Sequence, residues 1–339
     1  MKKIKVGVIG VGNMGRHHTR VYSELEETEL VVIADINREQ ALKISEEYNC
    51  NYYQDYETMI NKEKLDAVSI AVPSSFHKTI AIKCMNKGIN VLIEKPIALT
   101  LSDAEEIINV SKEKKVKLMV GHIERFNPVI DKVKKLIETG MFGKPIIISS
   151  TRVGVFPKQI TDINVLLDLA VHEIDIIGYL FNNNVKHVFS EAIIGEDGRE
   201  EAAQLLLNYD HNRIGIIQTN WLTPVKKRKI SINCTKGYLE ADYISQEITS
   251  YTLLPKETPK TYSQFLDYKS EEQIIRLKHV EPLKLEILDF YDSIINDKEP
   301  FVNGDDGINA LKIALAAVES IKQKKRISLD ENNKTNNAN

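Results

Sequence analysis

The sequence predicts an α/β protein whose doubly wound parallel sheet is followed by a second, α+β domain with a large, mostly antiparallel open sheet. Short apolar runs alternate regularly with helical patterns up to about residue 121. From residue 146 onward, strand patterns follow one another with few helices between them. A length of 339 residues exceeds the needs of one ordinary domain, and 42% hydrophobic with 27% charged residues fits a folded chain and excludes a disordered one. The expected boundaries are 1–122 for the first domain and 123–329 for the second, with the late helices able to pack back on the first. The polar, asparagine-rich 330–339 is expected to be a disordered tail.

In the first domain, strands are expected at 4–10, 30–34, 67–71, 89–93 and 117–120, each an apolar run of the kind covered on both sheet faces. Helices are expected at 14–23, 38–48, 76–87 and 102–114, and another starts after Asn127-Pro128. In the second domain, strands are expected at 146–153, 185–194, 204–209, 215–221, 229–234 and 237–243. A helix at about 165–180 packs on one face, and helices at 283–295 and 307–322 close the chain.

Composition removes several function classes. Lys plus Arg number 45 against 48 for Asp plus Glu, a net charge of −3 that gives no overall attraction for nucleic acid or an anionic membrane. The basic clusters at 112–117 and 322–326 read as solvated helix ends. No apolar run approaches the roughly 20 residues that span a bilayer, and the amino terminus reads as a strand, not a signal peptide. Three widely spaced cysteines, Cys50, Cys84 and Cys234, fit a reducing compartment, the cytoplasm by default, and supply no zinc framework.

The first chemical signal is Gly10-x-Gly12-x-x-Gly15, with Asn13 and Met14 inside it, between the first strand and the first helix. Glycines there permit a tight turn and close backbone approach, and the helix amino terminus faces a pyrophosphate. Asp35 ends the second strand twenty residues beyond Gly15, where a carboxylate accepts hydrogen bonds from the adenosine ribose. That favours NAD over NADP, although Arg38 stands close enough to meet a 2′-phosphate. Pro73, Ser74 and His77 lie in the loop after the third of these strands, at the ligand-bearing edge; helix capping by Ser74 is the plainer alternative.

Two further motifs carry reaction chemistry. Glu94-Lys95-Pro96 follows the strand at 89–93 and places an ammonium at the same sheet edge. Asp168, His172 and Asp175, spaced i, i+4 and i+7, share a helical face, with Leu167, Val171 and Ile174 on an apolar one. An imidazole there can take a proton from an alcohol as hydride leaves, and Asp168 can orient it. A solvated face with an ion pair is the alternative, and no third and fourth metal ligands accompany the histidine. His17 and His18 read as helix surface.

Taken in order, these three motifs resemble the glucose-fructose oxidoreductase/inositol dehydrogenase (Gfo/Idh/MocA) family over essentially the whole chain. The resemblance implies an amino-terminal Rossmann domain and a carboxyl-terminal α/β domain whose open sheet often serves oligomerisation, here as a dimer or tetramer. It also implies a Lys95 that hydrogen-bonds the reacting hydroxyl, a His172 that is the acid/base group, a supporting Asp168 and a cis Lys95-Pro96 bond. Within the family, 121–128, 151–157 and 220–226 are similar to the branch that oxidises C3 of UDP-N-acetylglucosamine or its uronic acid. A diphosphate needs convergent cations, and Arg125, Arg152, Lys158, Lys226 and Arg228 fall in segments able to face a cleft. Asn127 accompanies them, and Phe126, Phe156 and Trp221 can pack against a base or sugar. The alternatives are a dehydrogenase of a free polyol or sugar and a catalytically silent NAD-binding regulatory protein.

Overall fold

The computed structural model describes residues 3–156, 162–253, 261 and 270–329. Lys158 and the tail at 330–339 lie outside the described residues. The chain divides into two compact units, the first formed by described residues of 3–126, 162–163 and 281–312, the second by the remainder.

In the first unit, β1 (Ile4–Ile9), β2 (Thr28–Ala34), β3 (Asn51–Tyr53), β4 (Ala67–Ile70), β5 (Asn90–Glu94) and β6 (Leu118–Gly121) form one parallel sheet ordered β3-β2-β1-β4-β5-β6. Strand order reverses between β1 and β4, the switch point where ligands gather in open α/β sheets. Val8 and Ile9 of β1, which point to opposite faces of the sheet, are both buried, as both-face coverage demands.

Around the sheet run α1 (Gly15–Glu24), α2 (Arg38–Tyr48), α3 (Tyr56–Lys62), α4 (His77–Met85) and α5 (Leu101–Lys114). Side-chain oxygens of Asn37, Asp55 and Thr100 cap the amino termini of α2, α3 and α5. α2 coincides with the helix expected from the sequence; β3 and α3 were not foreseen, being three and seven residues long with little apolar period. A late helix, α8 (Pro282–Ile295), also belongs to this unit and buries Leu283, Ile287 and Phe290 in the cluster that holds Val6, Val8 and Tyr22.

The second unit contains α6 (Pro128–Glu138), α7 (Val171–Phe181) and a nine-stranded sheet. Its strands are β7 (Pro145–Val155), β8 (Val185–Ile194), β9 (Glu200–Tyr209), β10 (Arg213–Asn220), β11 (Leu222–Cys234), β12 (Gly237–Asp242), β13 (Glu247–Leu253), β14 (Ser270–Arg276) and β15 (Ile327–Ser328). The order is β14-β13-β12-β11-β7-β10-β9-β8-β15, antiparallel except between β7 and β10. α6 packs on β12 and β13, and α7 on β7 and β10. Alternation follows: Ala203, Leu205 and Leu207 of β9 are buried while Gln204 and Leu206 between them are exposed. The last helix, α9 (Gly304–Gln323), contributes to both units.

The strands β13 to β15 were absent from the sequence expectation. β14 is a charged, exposed strand at one edge and β15 has two residues, so neither carries the apolar period of an interior strand.

Candidate active site

The glycine turn follows β1 and is built by steric necessity. Gly10 has φ +83°, and a Cβ there would lie 2.7 Å from the Ala71 carbonyl oxygen. A Cβ on Gly15 would fall 1.7 Å from the Gly10 carbonyl oxygen, so only glycine lets α1 start against the turn. Around Gly12, by contrast, nothing lies within 4 Å of the Cβ position, which leaves that stretch of backbone open to a ligand. This is the arrangement a dinucleotide pyrophosphate needs. Met14 occupies the cap position of α1, and the Asn13 side-chain oxygen accepts a 3.3 Å bond from Arg16.

Asp35, just beyond β2, accepts the Val11 N–H at 2.8 Å through Oδ2 and the Asn37 N–H at 2.8 Å through Oδ1. A carboxylate has about four acceptor directions, so room for ribose hydroxyls is left. Gln40, which the sequence did not single out, donates to the Val11 carbonyl at 3.0 Å and ties α2 to the turn. Its neighbour Arg38 is exposed in the first turn of α2.

After β4, Pro73 leads into a short 3-10 turn at Ser74–Phe76 in which Ser74 is buried. His77 is fully buried, and its ring nitrogens face the carbonyls of Val72 at 3.0 Å and Pro96 at 2.9 Å. Burial pulls its pKa below the usual value. The ring thus sits between the loops after β4 and β5, and its neutral form donates to one of the two carbonyls.

Lys95 is half-buried at the carboxyl end of β5, and the Lys95-Pro96 bond is cis, as the resemblance implied. Glu94 is the last residue of β5, one position beyond the expected strand end. Its carboxylate is buried and bonded to His18 Nε2 at 3.0 Å. Burial alone would raise this carboxyl; the His18 bond, with the nearby charge of Lys95, holds it below the usual range instead.

The expectation for His18 was wrong: it is 1% exposed, whereas His17 is exposed. α1 buries the face that carries Gly15, His18, Thr19 and Tyr22 against the sheet, and the hydrogen bonds of His18 offset the cost of putting an imidazole there.

In the second unit, Leu166–Ala170 forms a single π turn ahead of α7, a feature frequent at functional sites. Asp168 sits on that turn and accepts a 3.1 Å bond from the Trp221 indole N–H. Trp221 meets Phe156 edge-on at 5.3 Å, and the Arg199 guanidinium lies over both rings at 5.8 and 5.5 Å. Asp168, His172 and Asp175 are all buried, as are Leu167, Val171 and Ile174, so the solvated-face alternative does not hold.

Directly after His172, Glu173 is wholly buried and pairs with Arg152 Nε at 2.5 Å, while the Tyr243 hydroxyl donates to its other oxygen at 3.1 Å. Asn127 caps α6 through Val129 N–H and donates to the Tyr243 carbonyl at 3.2 Å. Two sequence candidates, Arg152 and Asn127, therefore meet in one buried network that anchors the start of α7. Arg125 belongs to the first unit, where it pairs with Asp306 at 2.9 Å. Arg228 donates to the Val153 carbonyl at 2.7 Å.

Glu173, Tyr243 and Asp306 were missed because each acts through a partner distant in sequence; Arg199, also missed, pairs with Asp197 two residues away and reaches Trp221 and Phe156 across the fold. Replacing Glu173 by Gln, which removes the carboxylate charge that faces the buried Arg152, is expected to cost about 2–3 kcal/mol in denaturant unfolding. The double variant Arg152→Met/Glu173→Leu is expected to lose less than the sum of the two single changes.

Among the described residues, no helix is long and apolar enough to cross a membrane, and no group of three His, Cys, Asp or Glu is placed to hold a metal ion.

Comparison with known proteins agrees with this geometry. Residues 4–122 match the model of the Gfo/Idh/MocA oxidoreductase family, NAD-binding Rossmann fold, and residues 134–329 match the family's C-terminal alpha/beta domain. The chain is 26% identical to myo-inositol 2-dehydrogenase of Thermotoga maritima, over 97% of this chain and 99% of that one. It is 25% identical to UDP-N-acetylglucosamine 3-dehydrogenase of Acidithiobacillus ferrooxidans, over 96% of this chain and all of the relative. A levoglucosan dehydrogenase solved with NADH and L-sorbose shares the fold, with a TM-score of 0.85 at 20% identity over 97% of this chain and 100% of that one. With both halves matched and the glycine turn shaped for a dinucleotide, the chain belongs to the Gfo/Idh/MocA family and is an NAD-binding oxidoreductase.

Proposed function

We propose that the protein oxidises the C3 hydroxyl of a UDP-N-acetylglucosamine-type sugar nucleotide to the 3-keto sugar. Gly10, Gly12, Asn13, Met14 and Gly15 hold the pyrophosphate of NAD and Asp35 its adenosine ribose. Pro73, Ser74, His77 and Glu94 shape the nicotinamide edge. When bound, NAD supplies the hydride acceptor. The Lys95 ammonium donates a hydrogen bond to the reacting oxygen and stabilises its developing negative charge. His172 takes the hydroxyl proton, and Asp168, held by Trp221, orients the imidazole. The buried Arg152–Glu173 pair keeps the first turn of α7 in place under His172.

One observation carries this reading. A chain of this family places a lysine at the carboxyl edge of its glycine-turn sheet and a buried Asp168–His172 turn in its second domain. The nucleotide substrate rests on the similarity of 121–128, 151–157 and 220–226 to the branch that oxidises such sugars, and on the Acidithiobacillus relative. Arg125, Asn127, Arg152 and Trp221 remain proposed substrate-side residues, joined by Lys226 and Arg228 on β11 for the diphosphate.

A second reading, oxidation of a free polyol of the inositol type, is favoured by the ion pairs of Arg125 and Arg152. These neutralise two of the cations the sequence assigned to a diphosphate, and the Thermotoga relative acts on myo-inositol by name.

A thermal-shift series with NADH present separates the readings. UDP-N-acetylglucosamine, its uronic acid and UDP are expected to raise the melting temperature, and myo-inositol to leave it unchanged. The reverse pattern establishes the polyol reading. No shift, together with no NAD reduction by any sugar nucleotide or polyol, establishes a silent NAD-binding protein.

For the cofactor, Asp35→Ser removes the carboxylate that faces the ribose position and leaves Arg38 in place. The ratio of NADP to NAD affinity is expected to rise about tenfold or more by fluorescence titration.

Assembly as a homo-oligomer through the open sheet forms part of the same proposal. Phe189, Leu206 and Ile216 are in cross-strand register on its exposed face, an apolar row across three strands. A cytoplasmic setting accords with three free cysteines.

A further inference from the structure

Behind Lys95 a buried chain of hydrogen bonds runs through the first unit. The Tyr22 hydroxyl lies 2.8 Å from Ser69 Oγ, Ser69 Oγ 3.1 Å from His18 Nδ1, and His18 Nε2 3.0 Å from Glu94 Oε1. The other carboxylate oxygen of Glu94 accepts the Lys95 backbone N–H at 3.3 Å. Tyr22, Ser69 and His18 are each no more than 1% exposed, and Glu94 is 8% exposed. Gly121, which pairs with Glu94 across β5 and β6, makes the room: a Cβ there would stand 3.1 Å from Glu94 Oε2.

Donor and acceptor capacities match along the chain. A charged carboxylate only accepts, so His18 Nε2 carries the proton and donates to Glu94. Ser69 Oγ, which can both donate and accept, bridges His18 Nδ1 and the Tyr22 hydroxyl. Burial raises the Tyr22 hydroxyl well above its ordinary range, so it remains a donor. Every member of the chain is partnered, and each loss would orphan a buried polar atom.

We propose that His18, backed by Ser69 and Tyr22, is a positioning residue for Lys95. It fixes the Glu94 carboxylate, and through that carboxylate the backbone from which the lysine side chain projects. This inference rests on the role given to Lys95 above. Displacement of a reacting group by even about 1 Å costs roughly 100-fold in rate, so the orientation of one carboxylate is enough to matter.

The test compares His18→Phe, which keeps a ring and loses both nitrogens, with His18→Gln, whose amide still donates toward Glu94. Turnover, KM and NAD affinity are measured for both, and backbone hydrogen exchange at Lys95 is followed alongside. His18→Phe is expected to lower kcat roughly 10–100-fold, with KM and NAD affinity within about threefold of wild type. His18→Gln is expected to recover most of that loss. Exchange at the Lys95 amide is expected to quicken at least about tenfold in His18→Phe.

Unchanged kcat and unchanged exchange in His18→Phe overturn the proposal. So does a parallel fall of kcat and NAD affinity that His18→Gln does not restore, because that is the mark of general damage. Should His18→Phe fail to fold, Ser69→Ala takes its place, with an expected kcat loss of about threefold or more and unchanged NAD affinity; no loss overturns the proposal. If Lys95→Ala itself retains full turnover, the role of Lys95 fails, and the exchange measurement still decides whether His18 positions it.

Discussion

Lys95→Ala and His172→Ala are each expected to lower turnover about 10²–10⁴-fold while NAD affinity stays within about threefold of wild type. The two losses have different origins. Without Lys95 the reacting oxygen loses a cationic donor as it gains charge, so the deficit persists at every pH. Without His172 the proton has no acceptor at hand, and raised pH, which supplies hydroxide, is expected to restore part of the rate. Neither side chain belongs to the glycine turn or to Asp35, which are proposed to hold the dinucleotide. Steady-state kinetics over a pH series, with NAD binding followed by titration, checks both. Loss of NAD binding in both variants contradicts the assigned roles.

The second large effect concerns stability. Glu286 on α8 is wholly buried, and among the described residues neither of its carboxylate oxygens has a hydrogen-bond partner. Burial, reinforced by the charge of Glu94 and by Asp289 and Glu124, holds its carboxyl well above the usual range, so the folded protein keeps this proton. The unfolded chain releases it above its ordinary carboxyl pKa of about 4.5. Between the unfolded and folded values the native state therefore binds more protons than the unfolded state, and the Glu286 contribution falls as pH rises, by about 1.4 kcal/mol per pH unit.

Glu286→Gln removes this linkage while keeping the size of the side chain. Its stability relative to wild type is expected to climb as pH rises above the unfolded carboxyl pKa, as read by denaturant unfolding at a series of pH values. Glu94 and Asp289 remain in both proteins, so their own titrations largely cancel in the comparison. Parallel stability curves would show that Glu286 is ionised in the folded state.

Local signals made the first domain legible. Gly10, Gly12 and Gly15 fall between a strand and a helix, Asp35 at the end of the next strand, and Lys95 just past β5, all from short-range pattern. Edge strands were less readable, because β14 and β15 lack the apolar alternation that marks a strand with a covered face. The candidate site was half legible for a related reason. Asp168 and His172 announced themselves by spacing along one segment, whereas what holds them comes from far along the chain: Trp221 for Asp168, and Arg152 and Tyr243 for the Glu173 next to His172. His18 shows the same limit. A histidine in a surface-like run gives no sign that Ser69 and Glu94, on two neighbouring strands, await its two nitrogens.

The bond that breaks can be labelled directly. UDP-N-acetylglucosamine carrying deuterium on C3 is incubated with the protein and NAD, and the reduced dinucleotide is isolated for mass spectrometry. Deuterium in the dinucleotide, in equal amount to a 3-keto sugar nucleotide, is the expected result. Deuterium that stays on the sugar, while ring-deuterated myo-inositol passes its label to the dinucleotide, would contradict the assignment of the substrate.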